Sequence, residues 1–314
     1  MTLGLGTAAL GRPQYINVRL ENSNNSDLET FRKQSFSVLE HAYHLGVRYF
    51  DTATGYGLAE NLLLEWLKTK NDSSIEIATK WGYTYVANFN ANAKVHEVKE
   101  HSLEKLIEQW EVSKPFLPYL KVYQIHSATL ETGVLKNAAV LEHLMFLKKE
   151  HNIKIGLTTT GTNQVEVIKE ALNVVINGEQ LFDLFQVTYN FLDQSLSTIY
   201  TELIRQNKAI VIKEALANGR IFKNEKYPHY KELYSALERL SIKHNVGVDA
   251  ISLKYCEQTI PNSIVLSGAS SIKQLEENLK TNLFSLSKSD IELLNTFKAT
   301  PESYWKERKN LEWN

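Results

Sequence analysis

The chain has 314 residues, 43% hydrophobic and 23% charged, enough for one large α/β domain or two ordinary ones. A formal net charge of −1 gives no electrostatic reason to expect nucleic acid or an anionic membrane as partner. Cys256 is the sole cysteine, which excludes an internal disulfide framework and points to a reducing compartment, the cytoplasm. The opening MTLGLGTAALGRPQY lacks the basic region and long apolar segment of a signal peptide. No apolar run approaches the about 20 residues that span a bilayer.

In chain order, LGLGTA (3–8) reads as a first strand, and NSNNSD (22–27) as a loop before a helix over 31–46. In that helix Phe31, Phe36, Leu39 and Tyr43 recur at helical spacing, with Arg32, Lys33 and Glu40 off the stripe. Further strands are expected at 47–51, 75–80, 120–126, 153–158, 184–189, 209–214 and 263–268. Helices at 59–68, 95–110, 138–151, 164–175, 196–207 and 230–245 separate them. NGRIFKNEKYPH (218–229) reads as a loop, and further helical segments lie at 246–258, 271–281 and 288–298 before the tail SYWKERKNLEWN. Eight strand–helix units without a composition break predict a (β/α)8 barrel, one domain over 1–314. A doubly wound sheet would need a glycine-rich strand-to-helix fingerprint, and the closest match, LGLGTAALG, runs into RPQYINV rather than a helix.

In such a barrel the functional groups gather where strands end. Asp51 ends the second strand, Lys80 the third and His126 the fourth, and Tyr56 sits on a glycine turn just beyond Asp51. Taken singly, an Asp at a strand end is a helix cap and a Lys is a solvated charge. Four ionisable groups at consecutive strand ends instead point to chemistry. A free Tyr ionises near pH ~10, and a nearby ammonium favours phenolate, so Lys80 is expected to lower the Tyr56 pKa. Asp51 supplies the counter-charge that a buried Lys needs, and His126 can hydrogen-bond the same substrate oxygen. The set holds neither a nucleophile nor a metal cage, so the group adding to carbon is expected to be a cofactor's hydride.

With these residues the chain resembles the aldo-keto reductases. The matching stretches are LGLGTAALG, GVRYFDTATGYGLAE (46–60), IATK (77–80), YQIH (123–126), QVTYN (186–190), EALANG (214–219) and SGASSIKQLEENL (267–279), in the family's order. The runs KWGYTYVANF, QIHSATLETG and KEALANGR look like a bacterial-type branch. The resemblance implies a barrel that binds NADP(H), or alternatively NAD(H), with Tyr56 as acid/base, Lys80 and Asp51 as its tuning pair and His126 orienting a carbonyl. It places Gln186 at the nicotinamide carboxamide, and Gly6, Thr7, Ala8 and the turn Glu214, Ala215, Leu216 to Gly219 where backbone nears the cofactor. Ser267, Gly268, Ser270, Ser271, Gln274, Glu277 and Asn278 correspond to the segment that holds the adenosine phosphate and adenine.

The chain also departs from the family pattern. Thr158 and Thr159 replace the usual Ser-Asn, Lys213 stands where many members stack an aromatic ring, and the N-terminal hairpin is largely absent. Gly268 and Gln274 occupy positions where many members carry a Lys and an Arg for the 2′-phosphate, so a weaker preference for NADP(H) is expected.

Trp81, Tyr83 and Tyr85 follow the catalytic strand and are expected to line the substrate pocket. Trp305 and Trp313 either fold across the mouth, as C-terminal segments do in this family, or pack in the core. Cys256 reads as a packed thiol, and His41 and His44 lack the companions of a metal site. The expected activity is reduction of an aldehyde or ketone, or the reverse oxidation of an alcohol or sugar. The alternative is a cofactor-binding regulatory subunit of the same fold with little turnover.

Overall fold

Eight parallel strands, each paired with the next in sequence and the last with the first, close into a barrel in the computed structural model, which describes residues 2–13, 27–90 and 92–312. They are β1 (Thr2–Gly6), β2 (Tyr49–Asp51), β3 (Glu76–Trp81), β4 (Leu120–Ala128), β5 (Lys154–Thr159), β6 (Phe182–Thr188), β7 (Ala209–Lys213) and β8 (Ile264–Ser267). Each lies within two residues of the bounds expected from sequence. Parallel neighbours need a crossover, and the amphipathic helices supply it by packing one apolar face on the outside of the barrel.

Two apolar layers result. Between strands and helices lies a large shell that includes Phe50, Ile77, Tyr123, Leu157, Phe185 and Val265. Inside the barrel a separate small layer is formed by Tyr49, Ala78, Val122, Leu184, Val211 and Leu266. Burying each larger side chain contributes about 1.5–3 kcal/mol against the entropy of ordering the chain. Side chains alternate along a strand, so the residues two positions on from this inner layer face inward again. Those residues are Asp51, Lys80, Gln124, Gln186, Lys213 and Gly268. The register carries an apolar floor and, one step up, a polar layer at the C-terminal rim.

Three sequence expectations need correction. The segment 95–110 is not one helix: Glu97–Lys99 pairs antiparallel with Tyr83–Tyr85, and the helix is Leu103–Ser113, capped by Ser102 Oγ, which accepts from Lys105 N at 3.1 Å. Alternating aromatics across the hairpin offer a sheet partner, which periodicity on one segment cannot register. A helical turn, Ala8–Gly11, does follow β1, although too short to make a dinucleotide-binding crossover. The helix expected at 196–207 is a 3₁₀ turn, Ser195–Thr198, followed by Tyr200–Arg205. The tail, to which the sequence reading assigns no structure, contains the helix Pro301–Lys309, with Thr300 as its cap and Pro301 in its first turn. Residues 22–26 of the expected first loop lie outside the described residues.

Candidate active site

Asp51 ends β2 and is 2% exposed. Its carboxylate accepts from Lys80 Nζ at 2.5 Å, Gln186 Nε2 at 2.7 Å and Gln124 Nε2 at 3.4 Å. Lys80 is wholly buried, and its ammonium also donates to the Thr52 carbonyl at 2.8 Å and to Tyr56 Oη at 3.3 Å. An ammonium has three protons, and here each has an acceptor. Tyr56 Oη lies 3.5 Å from His126 Nε2, with the two rings edge-to-face at 5.4 Å. The Tyr83 ring meets His126 at 4.7 Å.

The glycines beside Tyr56 make this approach possible. Gly57 has φ +60°, in the left-handed region that favours glycine, and a Cβ on Gly11 would stand 1.9 Å from the Tyr56 carbonyl oxygen. LGLGTAALG therefore ends in glycine because the Tyr56 turn packs directly on it.

Burial dominates the ionisation of Tyr56 and pushes its pKa well above the usual phenol value; the Asp51 carboxylate adds to this and Arg12 is the strongest opposing influence. The direction is opposite to the sequence expectation for Lys80. Lys80 shares its charge with Asp51 at 2.5 Å, and an ion pair that tight presents a dipole to its neighbour rather than a full positive charge. Tyr56 is thus a phenol at neutral pH, carrying a proton it can give. His126 is pulled well below the ordinary imidazole value by burial and then by Lys80 and Arg12, so it is neutral. Burial also lowers Lys213, whose Nζ donates to Thr188 Oγ1 at 2.8 Å. Burial would raise Glu214, but Arg308 and Lys213 overcome it and hold its carboxyl at about 2.

A cavity of about 750 Å³ opens over this layer. Its wall contains Asp51, Tyr56, Tyr83 and His126 together with Gln186, Lys213 and Glu214. The same cavity reaches Gly6 and Ala8 on the β1 side and Ser267 and Gly268 beyond β8. Gly268 has open space where a Cβ would point, and the helix Ile272–Leu279 begins just past it. One cavity thus joins Asp51, Tyr56 and His126 to a strand-to-helix junction, and the donors and small residues present fit a nicotinamide cofactor.

Trp81, Tyr85 and the remaining cofactor candidates do not line it. Trp81 turns into the outer shell against His101, with no exposed surface, because the alternation that points Lys80 inward points its neighbour out. Tyr85 packs against Phe89 on the hairpin, the rings tilted with centroids 5.4 Å apart. Thr158 Oγ1 is engaged by the Ser127 amide at 2.7 Å, so its hydroxyl holds the end of β4. Thr7 bonds the Asp51 carbonyl through Oγ1 at 3.0 Å, fixing β1 to β2. Ala215 is buried and its carbonyl accepts from Ser252, while Leu216 packs on the core and Gly219 closes the turn. Ser271 caps the helix through Gln274 N, Gln274 Oε1 accepts from Ser270 N at 2.9 Å, and Glu277 pairs with Lys280. Asn278 is buried against Ser267 Oγ at 2.7 Å.

Several wall residues were not singled out from sequence. Arg12, Glu97, Thr160, Glu302, Lys306 and Arg308 belong to this group. Trp305 also lines the cavity, and its Nε1 donates to Asp193 Oδ2 at 3.2 Å, so the C-terminal helix lies over the mouth; Trp313 is outside the described residues. Arg308 Nε donates to Glu214 Oε1 at 3.0 Å, tying that helix to the turn after β7. The only sequence signal for Arg12 was a cation directly after LGLGTAALG. Among the described residues no helix is long and apolar enough to cross a membrane, and no cluster of His, Cys, Asp and Glu is placed to hold a metal.

Similarity to known proteins covers almost the entire chain. Residues 2–299 match the model of the aldo/keto reductase family. The NADH-specific methylglyoxal reductase of Escherichia coli is 24% identical over 93% of both chains, and the L-galactose dehydrogenase of Arabidopsis thaliana is 27% identical over 88% of this chain and 86% of its own. Among solved structures, an aldo-keto reductase of Bacillus halodurans in its holo form superposes with a TM-score of 0.71 at 21% identity, covering 95% of this chain and 92% of that one. These relatives are named as reductases and dehydrogenases, and the barrel is the one they share. The chain belongs to the aldo/keto reductase family of nicotinamide-dependent oxidoreductases.

Proposed function

We propose that this protein reduces an aldehyde or ketone with NAD(P)H, or runs the reverse oxidation of an alcohol or sugar, using Tyr56 as general acid and base. The observation that carries the reading is the junction at Lys80, whose Nζ bridges Asp51 at 2.5 Å and Tyr56 Oη at 3.3 Å, with His126 3.5 Å from the same phenol. A bound nicotinamide cofactor would supply or accept the hydride.

The chain's own residues handle the oxygen and its proton. His126, neutral and in its Nε2–H tautomer, donates to the substrate oxygen and turns it toward Tyr56. Tyr56 Oη gives its proton to that oxygen as charge builds there. Lys80 then donates to the phenolate left behind, and Asp51 keeps Lys80 charged although it is buried. Gln186 and Gln124 complete the carboxylate's hydrogen bonds in the barrel interior.

For the cofactor, the junction after β8 offers backbone, Ser270, Ser271 and the helix start, with Lys273 exposed nearby, but neither a Lys nor an Arg at positions 268 and 274. Gln274 already spends its amide oxygen on Ser270. We read this as a site that accepts NADP(H) and NAD(H) with little discrimination, and a relative named as NADH-specific supports the admission of NAD(H).

The test is a panel of aldehydes, ketones, alcohols and sugars with each cofactor, followed by nicotinamide absorbance in wild type and Tyr56→Phe. Turnover that disappears in the variant supports the reading. Tight cofactor binding with no turnover on any substrate would favour a regulatory subunit instead.

A further inference from the structure

Arg12 is a charged residue, 2% exposed, on the wall of the catalytic cavity and outside the Asp51–Lys80–Tyr56–His126 chain of contacts. It follows the helical turn Ala8–Gly11. Its Nη1 donates to the carbonyl of Gly55, the residue before Tyr56, at 3.2 Å. The same nitrogen donates to Glu97 Oε2 at 2.8 Å, on the hairpin formed by Tyr83–Tyr85 and Glu97–Lys99. The guanidinium carbon stands 5.1 Å from the centre of the Tyr56 ring and 5.8 Å from that of Tyr85. A planar guanidinium can satisfy hydrogen bonds in its plane while its charge faces a ring, which a lysine does poorly.

We propose that Arg12 is a positioning residue for Tyr56, fixing the turn that carries the phenol and presenting the cation that faces the phenolate, with Glu97 setting how much of that charge is felt. The proposal rests on the reading of Tyr56 as acid and base. Among the described residues, the charged and titratable groups facing Tyr56 are Asp51 from β2, Lys80 from β3, His126 from β4, Tyr83 and Glu97 from the hairpin, and Arg12. Lys80 is closely compensated by Asp51. Arg12 favours the phenolate, and Asp51 and Glu97 oppose it. The pair therefore makes a signed prediction: losing Arg12 hardens ionisation of Tyr56, whereas neutralising Glu97 eases it.

The experiment uses the full chain as Arg12→Met, Arg12→Lys and Glu97→Gln. The first readout is independent of turnover: ¹³Cζ-tyrosine NMR of the protein alone, with the Tyr56 resonance assigned by its loss in Tyr56→Phe. The second is the pH profile of alcohol oxidation, in which Tyr56 must be phenolate. Arg12→Met is expected to move the onset of Tyr56 titration upward by about one pH unit and to lower oxidation at a fixed pH below the limb by about tenfold. Glu97→Gln should move both in the opposite direction, and Arg12→Lys should recover most of the charge effect. An unmoved onset in Arg12→Met and Glu97→Gln, or a shift of the same sign in both, overturns the proposal. If Arg12→Met does not fold, an onset unmoved or raised in Glu97→Gln overturns it alone. Activity retained in Tyr56→Phe sinks the proposed function itself, whereas an inactive Tyr56→Phe beside unshifted Arg12 and Glu97 variants sinks only the role given to Arg12.

Discussion

In the proposed mechanism Tyr56 must keep a proton at neutral pH and still surrender it to a substrate oxygen in each reductive turnover. Burial secures the first requirement, and the donors around Oη serve the second. Tyr56→Phe keeps the ring and removes the proton, so kcat should fall by the ~10²–10⁴ typical of acid–base catalysis while cofactor affinity, measured by fluorescence titration, stays near wild type. Lys80→Met removes the donor to the phenolate and leaves Asp51 without its cation, and kcat should fall in the same range. A Lys80→Met enzyme with an unchanged pH–rate profile would remove the ion pair from the mechanism. Glu60 presents a different residue-scale problem. It is buried beneath the site, with Oε1 accepting from Thr79 Oγ1 at 2.5 Å and Ser113 Oγ at 2.9 Å, and burial pushes its carboxyl up to about 7. Between the ordinary 4.5 and about 7 the folded chain holds a proton that the unfolded chain has released, so Glu60 makes stability decline as pH rises through that window. In Glu60→Gln this decline should flatten, as read from denaturant midpoints at a series of pH values between 4 and 8 on the order of one unit apart.

Two elements that sequence periodicity describes poorly decide the shape of the mouth. The hairpin of Tyr83–Tyr85 and Glu97–Lys99 carries Tyr83 and Glu97 to one side, and the helix Pro301–Lys309 carries Trp305 and Arg308 to the other. That helix is anchored by Arg308 to Glu214, whose side chains are 20% and 9% exposed. Removing one partner of a largely buried pair leaves a charge uncompensated, so Arg308→Met should cost on the order of 3 kcal/mol in chemical unfolding at pH 7. Glu214 has a folded value of about 2 against an ordinary 4.5, so its stabilising effect is complete above 4.5 and lost as pH falls toward 2. The gap between Arg308→Met and wild type should therefore narrow across that acid window; a gap that is constant with pH would mean the ion pair is not its source. The junction after β8 makes a further prediction at this scale. Gln274→Arg places a cation beside Ser270 and Ser271, and a charge-assisted contact of roughly 1.5–3 kcal/mol should tighten NADPH by about tenfold or more while leaving NADH almost unchanged. Equal tightening of both cofactors would show that the 2′-phosphate lies elsewhere.

For the whole molecule, the polar layer above the barrel floor is tied across strands by Asp51, Lys80, Gln124 and Gln186. A ligand that binds only the folded chain stabilises it by mass action, about 2.7 kcal/mol at a hundredfold excess over Kd. Thermal unfolding with saturating NADH or NADPH should accordingly shift upward by several degrees, and no shift with either would remove the cofactor reading. How much of this was legible beforehand follows from the geometry of the strands. The parallel barrel and the placement of Asp51, Lys80 and His126 at consecutive strand ends could be read from sequence, since both depend on local periodicity and on where a strand stops, whereas Gln186 and Lys213 were pointed to only by the family resemblance. Tyr56 was legible because its flanking glycines mark a turn next to a strand end. Arg12 with Glu97, and Glu214 with Arg308, were not: the partners stand 85 and 94 positions apart, and no local pattern relates them. Nor could sequence give the direction of the Tyr56 shift, because that sign depends on how completely the barrel and hairpin exclude water and on how tightly Asp51 compensates Lys80. By itself the sequence determined the strands, the barrel and the strand-end positions of Asp51, Tyr56, Lys80 and His126, all set by short-range periodicity and turn chemistry. Only the tertiary structure decided the walls of the cavity, the closure by the C-terminal helix and the charges that act on Tyr56, because burial and long-range pairing exist only once the chain has closed on itself.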